Sequence, residues 1–386
     1  MPSNKLQKRI PRKSKSKIGA KKLRVALVAD WLVTVGGSEK VLLELHKLYP
    51  KAPIYTTIYN PDTLPEFKDA RVITSFLQNM PGAARRHQLY VPLMPLAIGR
   101  FDLGDYDLVI SSSNTIGHGV KVGPEAVHIC YCHTPVRWAY APEVDNLNDR
   151  LPPGPLARVI ESYFKWWSKR KARGVTQFIA NSQFVRARIK KAFGRDAVVI
   201  HPPVEVGKIP LQVDKDDYYL MAGRLVGYKK PEVVVEAFNQ LGLPLHIVGT
   251  GPMLKDLKSM AGPKIKFTGF LHATELSREY RCAKALVFAA LEDFGMVPVE
   301  AMAAGTPVIG YGAGGLLETV TDGLNGILFP KQRAVSVIRA VKRFRQTQFD
   351  PEQIRQHAKQ FDAKVFRRKI KALIRRVYKA NNSNKK

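Results

Sequence analysis

Apolar runs of strand length alternate with stretches of helical periodicity along most of this chain. Leu23-Arg-Val-Ala-Leu-Val-Ala reads as a buried strand, followed by the glycine loop Val35-Gly36-Gly37-Ser38. Glu39-Lys-Val-Leu-Leu-Glu-Leu-His then places its apolar positions at helical spacing. The same pattern predicts strands over 52–57, 107–111, 126–132 and 175–180, the last leading through Asn181-Ser-Gln-Phe into a helix that runs to Lys191. A strand over 197–204 is stopped by its prolines. Residues 205–217 are mixed and polar, as in a connection between domains. A second series opens with strands over 218–222, 245–248, 265–268, 285–288 and 307–309, again with helices between them. The segment 351–380 reads as helix and is very basic. Alternation of this kind predicts parallel sheets covered by helices.

Length and composition fit that picture. The 386 residues suffice for two domains with substantial cores, and a hydrophobic content of 45% is ordinary for a globular protein. No apolar run is long enough to span a bilayer, and the charged N-terminal residues lack the apolar core of a secretory signal. The expected location is therefore the cytoplasm. Three cysteines, Cys130, Cys132 and Cys282, give no disulfide framework and suit a reducing compartment. Cys130 and Cys132 share one face of a predicted strand and read as small buried hydrophobes rather than metal ligands.

Charge adds something the pattern does not contain. The formal net charge is +30, and the basic residues concentrate at the two ends. Residues 1–22 carry nine Lys or Arg and no acid, and are expected to form a disordered basic tail. Such ends attract polyanions: nucleic acid, or a membrane surface rich in anionic lipid. Arg85-Arg86-His87 with its apolar neighbours, and the stretch from Tyr163 to Arg173 with Trp166 and Trp167, mix basic and apolar residues as interfacial segments do.

The candidate chemistry centres on Glu292-Asp-Phe-Gly-Met-Val-Pro-Val-Glu300, two carboxylates with seven residues between them. Gly295 lets the backbone approach a ligand, and Pro298 suits the first turn of a helix. Glu292 is thus placed in a loop, Glu300 inside the helix, and Gly305 at its stop. Exposed amides between the two acids suit a phosphate or a sugar oxygen. First-turn acids favoured by the helix dipole have the same local appearance. Gly36 and Gly37 open an earlier helix after a strand, and Gly223-Arg224-Leu-Val-Gly-Tyr-Lys229 and Gly249-Thr-Gly251-Pro252 each follow strands of the second series.

The stretch from Glu292 through Gly315-Leu-Leu-Glu318 resembles the E-x7-E segment of retaining glycosyltransferases of the GT-B superfamily, family 4. The resemblance covers roughly residues 23–378. It implies an α/β fold of GT-B architecture, two Rossmann-like domains facing a central cleft. It divides the chain into a tail over 1–22, an N-terminal acceptor domain over 23–204, a linker over 205–217 and a C-terminal donor domain over 218–350. Residues 351–386 would be a basic helix returning to the first domain, and a tail. It assigns Arg224 and Lys229 to the donor diphosphate, Glu292 with the amides of Phe294, Gly295 and Met296 to the donor sugar, and Glu300 to the ribose. Gly36, Gly37, Gly223, Gly249, Gly251 and Val297 fall to the nucleotide-sugar site. Tyr131-Cys132-His133-Thr-Pro-Val-Arg137-Trp138 resembles mannosyl-transferring and O-antigen members, in which the matching histidine contacts the transferred sugar, so His133 joins the catalytic set.

The activity so implied is hexosyl transfer, retaining and metal-independent, with no cofactor. Its donor would be GDP-mannose or another nucleotide sugar, since users of UDP-sugars share every motif. The acceptor would be a lipid-linked or polysaccharide saccharide, with peripheral attachment to the inner face of the cell membrane. Asp105-Tyr-Asp107 matches a D-x-D metal signature formally, but it leads into a strand and reads as a turn. Two other functions stand beside this one. A basic nucleic-acid-binding protein fits the charge but lacks any helix-turn-helix, zinc module or RNP-like aromatic pair, so no specific nucleic acid is expected. A sugar-nucleotide epimerase would share the two-domain architecture.

Overall fold

The computed structural model describes residues 23–140 and 154–383; the expected disordered tail over 1–22 lies outside them. The first domain is a seven-stranded parallel sheet. Its strands are β1 (Val25–Ala29), β2 (Ile54–Thr56), β3 (Val72–Thr74), β4 (Leu108–Ser113), β5 (Val127–Cys132), β6 (Gln177–Ala180) and β7 (Ala197–Val199). They lie in the order β3-β2-β1-β4-β5-β6-β7. The second domain has six parallel strands: β8 (Tyr219–Ala222), β9 (Leu245–Val248), β10 (Ile265–Gly269), β11 (Leu286–Phe288), β12 (Val308–Tyr311) and β13 (Gly326–Phe329). Their order, β10-β9-β8-β11-β12-β13, repeats the pattern of the first sheet. In each the strand order reverses beside the first strand, and ligands of such sheets bind outside the carboxyl ends at that reversal.

Alternation along β1 explains the layering of the first domain. Val25, Leu27 and Ala29 enter one core with helix α1 (Gly37–Leu48), while Ala26 and Val28 enter the core on the opposite face. That second face is covered by α2 (Met94–Gly99) and α4 (Pro155–Ala172), with the short α3 (Arg137–Tyr140) beside them. Helix α5 (Gln183–Phe193) packs against β6 and β7. Cys130 and Cys132 are buried in the apolar cluster under α5, with Phe178 and Ala180.

The second sheet is likewise sandwiched. Helices α6 (Pro231–Leu241), α7 (Leu254–Met260) and α10 (Ala334–Phe344) cover one face. The other is covered by α8 (Ala273–Cys282), α9 (Met296–Ala303) and α11 (Pro351–Ala358). Residues 205–217 run along this domain, with Val206 in its core and Arg355 donating to the carbonyls of Val206 and Ile209.

The helical stretch expected over 351–380 is broken. α11 ends at Ala358, a turn of 3-10 helix covers Lys359–Phe361, and α12 (Ala363–Ser383) starts afresh. The break occurs where the chain crosses back between domains. Val204 donates to the Phe361 carbonyl and Ala363 to that of Val204, so two crossing segments pair side by side. α12 then buries Phe366, Ile370, Leu373 and Ile374 in the core of the first domain, on the α1 face. Strands β3 and β13 were not expected from the pattern. β3 is a three-residue edge strand with no fully buried position, and β13 begins at Gly326, where a side chain would strike the Val308 carbonyl. No helix among the described residues is long and apolar enough to cross a membrane.

Candidate active site

The carboxyl ends of β1 and β4 in one domain face those of β8 and β11 in the other across a cavity of about 910 Å³. The first domain contributes the loop after β1, including Gly36, Gly37 and Ser38, and Thr134, Arg137 and Trp138 after β5. The second contributes Gly223, Arg224 and Lys229 after β8, Gly249 and Gly251 after β9, and Glu292, Met296, Val297 and Glu300.

Gly295 explains how the acidic segment turns. Its φ of +87° breaks the chain between Phe294 and α9 in a conformation that a side chain resists. Glu292 is left in the loop and Glu300 one turn into the helix. Pro298 fits because the first turn needs no amide donor there. Gly249 and Gly251 have a different origin. A Cβ at Gly249 would lie 2.0 Å from the Gly223 carbonyl oxygen, and one at Gly251 2.2 Å from that of Leu225. Their absence of side chains lets the β9 loop nest on the β8 loop, which brings both to the cavity wall.

Two of the carboxylates at the cavity have cationic partners. Glu292 Oε1 lies 3.1 Å from Lys229 Nζ. Burial pulls the Lys229 pKa down, but the neighbouring Glu292 outweighs it and the net shift is upward. Glu300 accepts from Lys40 Nζ of the first domain at 2.5 Å and from the Tyr280 hydroxyl at 3.0 Å. Asp293 points away from the cavity and takes two guanidinium groups of the first domain, Arg137 at 2.5 Å and Arg188 at 2.7 Å. Burial lowers the Arg137 pKa, and Asp293 and Glu292 reverse that to a net rise. Among the described cations lining the cavity, Arg224 is exposed and has no acidic partner.

Glu318 closes the same seam elsewhere. Its carboxylate accepts from the Gln183 and Phe184 amides, at the start of α5, and lies 3.1 Å from His201 Nε2. Gly37 also touches the second domain, since a Cβ there would meet Met296 Sδ at 3.0 Å.

Three of the expected residues, His133, Phe294 and Gly295, are buried and do not line the cavity. His133 is buried, its Nε2 2.8 Å from Ser112 Oγ, and burial pushes its pKa down to about 3. Phe294 is buried between His201 and Phe361, although its neighbours Met296 and Val297 line the cavity. Asp107 is tied to Arg24, through the amide at 2.9 Å and the guanidinium at 3.2 Å, so the D-x-D sequence serves a strand junction. Among the described residues, no group of three or more His, Cys, Asp or Glu is arranged to hold a metal ion.

The sequence reading did not single out Lys40, Tyr280, Glu39 or Asp293. Asp293 stood next to Glu292 in a quoted motif, but nothing local tells a buried clasp from a solvated acid. Glu39 also lines the cavity, and burial raises its pKa to about 7. It is the third residue of α1, and a Cβ at Gly36 would meet its Oε2 at 2.9 Å. The carboxyl therefore folds back over the helix start.

Two family models tile the chain. Residues 35–208 match the model described as Glycosyltransferase Family 4, and residues 207–361 match that described as Glycosyl transferases group 1. The chain belongs to the GT-B glycosyltransferases of the family 4 type. A D-inositol 3-phosphate glycosyltransferase of Streptomyces bingchenggensis is 27% identical over 286 residues, covering 62% of this chain and 59% of the relative. A GDP-mannose-dependent alpha-mannosyltransferase of Corynebacterium glutamicum is 36% identical over 107 residues, covering 28% of this chain and 26% of the relative. The matches thus span less than two thirds of the length of these curated relatives. The crystal structure of Anabaena HepE in complex with UDP and glucose superposes with a TM-score of 0.68 at 18% identity, over 92% of this chain and 99% of that one. The fold of a GT-B glycosyltransferase thus extends over nearly the whole chain.

Proposed function

We propose that this glycosyltransferase is a retaining, metal-independent hexosyltransferase that moves mannose from GDP-mannose to a hydroxyl of a lipid-linked or polysaccharide acceptor. In this reading it works as a peripheral enzyme at the cytoplasmic face of the cell membrane. The observation that carries the reading is the cation arrangement of the cleft. Arg224 has no acidic partner among the described residues and is open to the cavity, and Lys229 lines the same cavity with Glu292 as its acidic partner. Two cations at the mouth of the β8 loop suit a diphosphate, and they stabilise the charge that grows on it as it leaves.

The acceptor hydroxyl attacks from the side the diphosphate leaves, and the departing phosphate takes its proton. No side-chain nucleophile takes part. Glu292 and the amides at the start of α9 hold the donor sugar, and Glu300 holds the ribose in competition with Lys40. The protein contributes position and electrostatics. His133 then acts from behind the wall, by fixing Ser112. The choice of GDP-mannose rests on the resemblance of the His133 block and on the corynebacterial relative's printed activity. HepE, bound to UDP and glucose, is the specific reason to keep a UDP-sugar as the second reading.

A thermal-shift series with GDP, UDP and ADP, each free and as its sugar conjugates, tests this directly. A ligand that binds the folded state raises the midpoint. GDP and GDP-mannose should raise it most. A rise with UDP-sugars alone would replace the donor, and no rise with any nucleotide would remove the transferase reading of the cleft.

A further inference from the structure

The first domain carries an exposed apolar surface that the cleft chemistry does not use. On α4, Leu156, Val159, Tyr163 and Trp166 are exposed, with Leu156 at 69%, Val159 at 64% and Trp166 at 59%. Their spacing of three, four and three residues gathers them within about 80° of helix circumference. The neighbouring arc of the same helix is the buried one, formed by Ala157, Phe164 and Trp167. So α4 has two apolar faces, and only one has a partner among the described residues.

A second exposed group lies on the adjoining segment. The 3-10 stretch His87–Leu93 and α2 expose Leu89 at 65%, Leu93 at 40% and Leu96 at 52%. α2 and α4 meet in one core, where Met94, Ala97 and Ile98 join Phe164 and Trp167. Both groups therefore sit on the same side of the first sheet.

The surroundings of these residues are cationic. Arg85, Arg86, Arg100, Arg158, Lys169 and Arg173 are exposed around them. Arg170 continues the α4 stripe and sits 5.9 Å over the Trp166 ring. Residues 82–100 contain no acid, and residues 154–173 contain only Glu161, which is paired with Lys165. Apolar side chains ringed by cations suit an anionic lipid surface, where the rings and leucines enter the headgroup boundary and the cations meet phosphates.

The surface also leads into the cleft. Val91, between Leu89 and Leu93, lines the cavity together with Trp31 and Trp138. From this we infer that the outer faces of α4 and of residues 87–96 form the seat by which the enzyme rests on an anionic bilayer, with the acceptor side of the cleft opening at that seat. The inference deepens the lipid-linked acceptor reading and rests on it for the direction of acceptor entry. The basic helix α12 packs on the opposite face of the sheet, so it and α4 do not lie flat on one plane.

The test uses the full chain and vesicles of phosphatidylglycerol or phosphatidylcholine, with no sugar or nucleotide present. Trp138 and Trp167 are buried and Trp31 is half-buried in the cavity wall, so the part of the quenching by brominated lipid tails that Trp166→Phe removes reports on Trp166. Quenching is expected with phosphatidylglycerol, and Trp166→Phe should remove most of it while vesicles still bind. Replacing Leu156, Val159 and Trp166 together by Gln should weaken co-sedimentation at least tenfold, with unchanged turnover on a soluble acceptor as the check on folding. Unchanged quenching in Trp166→Phe, or unchanged co-sedimentation of the Gln variant, would overturn the seat and leave the basic ends as the membrane contact. Sedimentation velocity showing a dimer that the Gln variant abolishes, without lipid quenching, would overturn it in favour of a second copy. Because vesicle binding and quenching are read without sugar, their failure leaves the transferase reading standing, and failure of the nucleotide series leaves the seat standing.

Discussion

Lys40 of the first domain reaches across the cleft to Glu300 of the second, Nζ to Oε1 at 2.5 Å. The same carboxylate takes the Tyr280 hydroxyl on its other oxygen. A ribose that bonds Glu300 therefore competes for the carboxylate with an ammonium that ties the two domains together. The two acids of the motif should then separate kinetically. Glu300→Gln should raise the dissociation constant of the nucleotide about tenfold, the value of one charged hydrogen bond near 1.4 kcal/mol, with a smaller effect on kcat. Glu292→Gln should act mainly on kcat. Equal effects on both constants in both variants would undo the assignment of ribose to one acid and sugar to the other.

In the proposed reaction Arg224 and Lys229 face the place where charge develops. Replacing either by Ala should lower turnover by on the order of 10²–10³, the scale for loss of an oxyanion donor. Near-normal rates in folded variants would rule out the diphosphate position. Since Lys229 also neutralises Glu292, its loss should cost more than that of Arg224.

Metal removal tests another part of the reading. With Arg224, Lys229 and the α9 amides at hand, EDTA should leave the rate unchanged within about twofold. Activity lost to EDTA and restored by Mg²⁺ or Mn²⁺ would show that a cation joins the donor phosphates.

Asp293 is one joint between the domains. It is buried under two guanidinium groups, and Arg137 already has an Nε without a partner. Asp293→Ala would leave two half-buried cations facing each other, a loss on the order of 3 kcal/mol in urea unfolding. A loss below about 1 kcal/mol would mean that water or other groups replace the carboxylate.

The pH dependence has a defined sign. Burial pushes His118 down to about 4 and His128 and His133 down to about 3. The unfolded chain takes protons near pH 6.5 where the folded one does not, so stability from these groups is full above that value and is lost as pH falls toward 3. Glu39 works in the opposite direction, because its folded pKa is raised to about 7. It contributes its full stability only below about pH 4.5, and that contribution falls as pH rises to 7. Urea midpoints should therefore drop from pH 6.5 to 5. Glu39→Gln should be the more stable protein at pH 8, by up to about 3 kcal/mol, with the difference shrinking toward pH 4.5. Equal midpoints at pH 8 would show that Glu39 is already well solvated.

Much of this architecture was legible along the chain. Strand β9 has the bounds the pattern predicts, and β1, β4, β5, β6 and β8 differ by a few residues at their ends. Buried parallel strands are continuous apolar runs, so burial writes them into the sequence directly. The break at 359–362 was not legible, because it comes from pairing with Val204 across the domain seam. Nor was β3, whose three half-exposed residues leave too little pattern to detect.

The motif order of the site was likewise contained in the sequence: a turn-forming Gly295, two acids spaced to fall on a loop and a helix, and cations after a strand. Local backbone preference is enough to set these, since each involves residues close together along the chain. Tertiary structure decided which acid meets which cation. Lys40 and Glu300 are 260 residues apart, and Arg137 and Asp293 156 apart. Those pairings exist because two sheets present their carboxyl ends to one another. The same packing placed His133 behind the wall and left Leu156, Val159 and Trp166 in the open. A helix with two apolar faces offers both to the core, and only the shape of the sheet beneath it determines which one is buried.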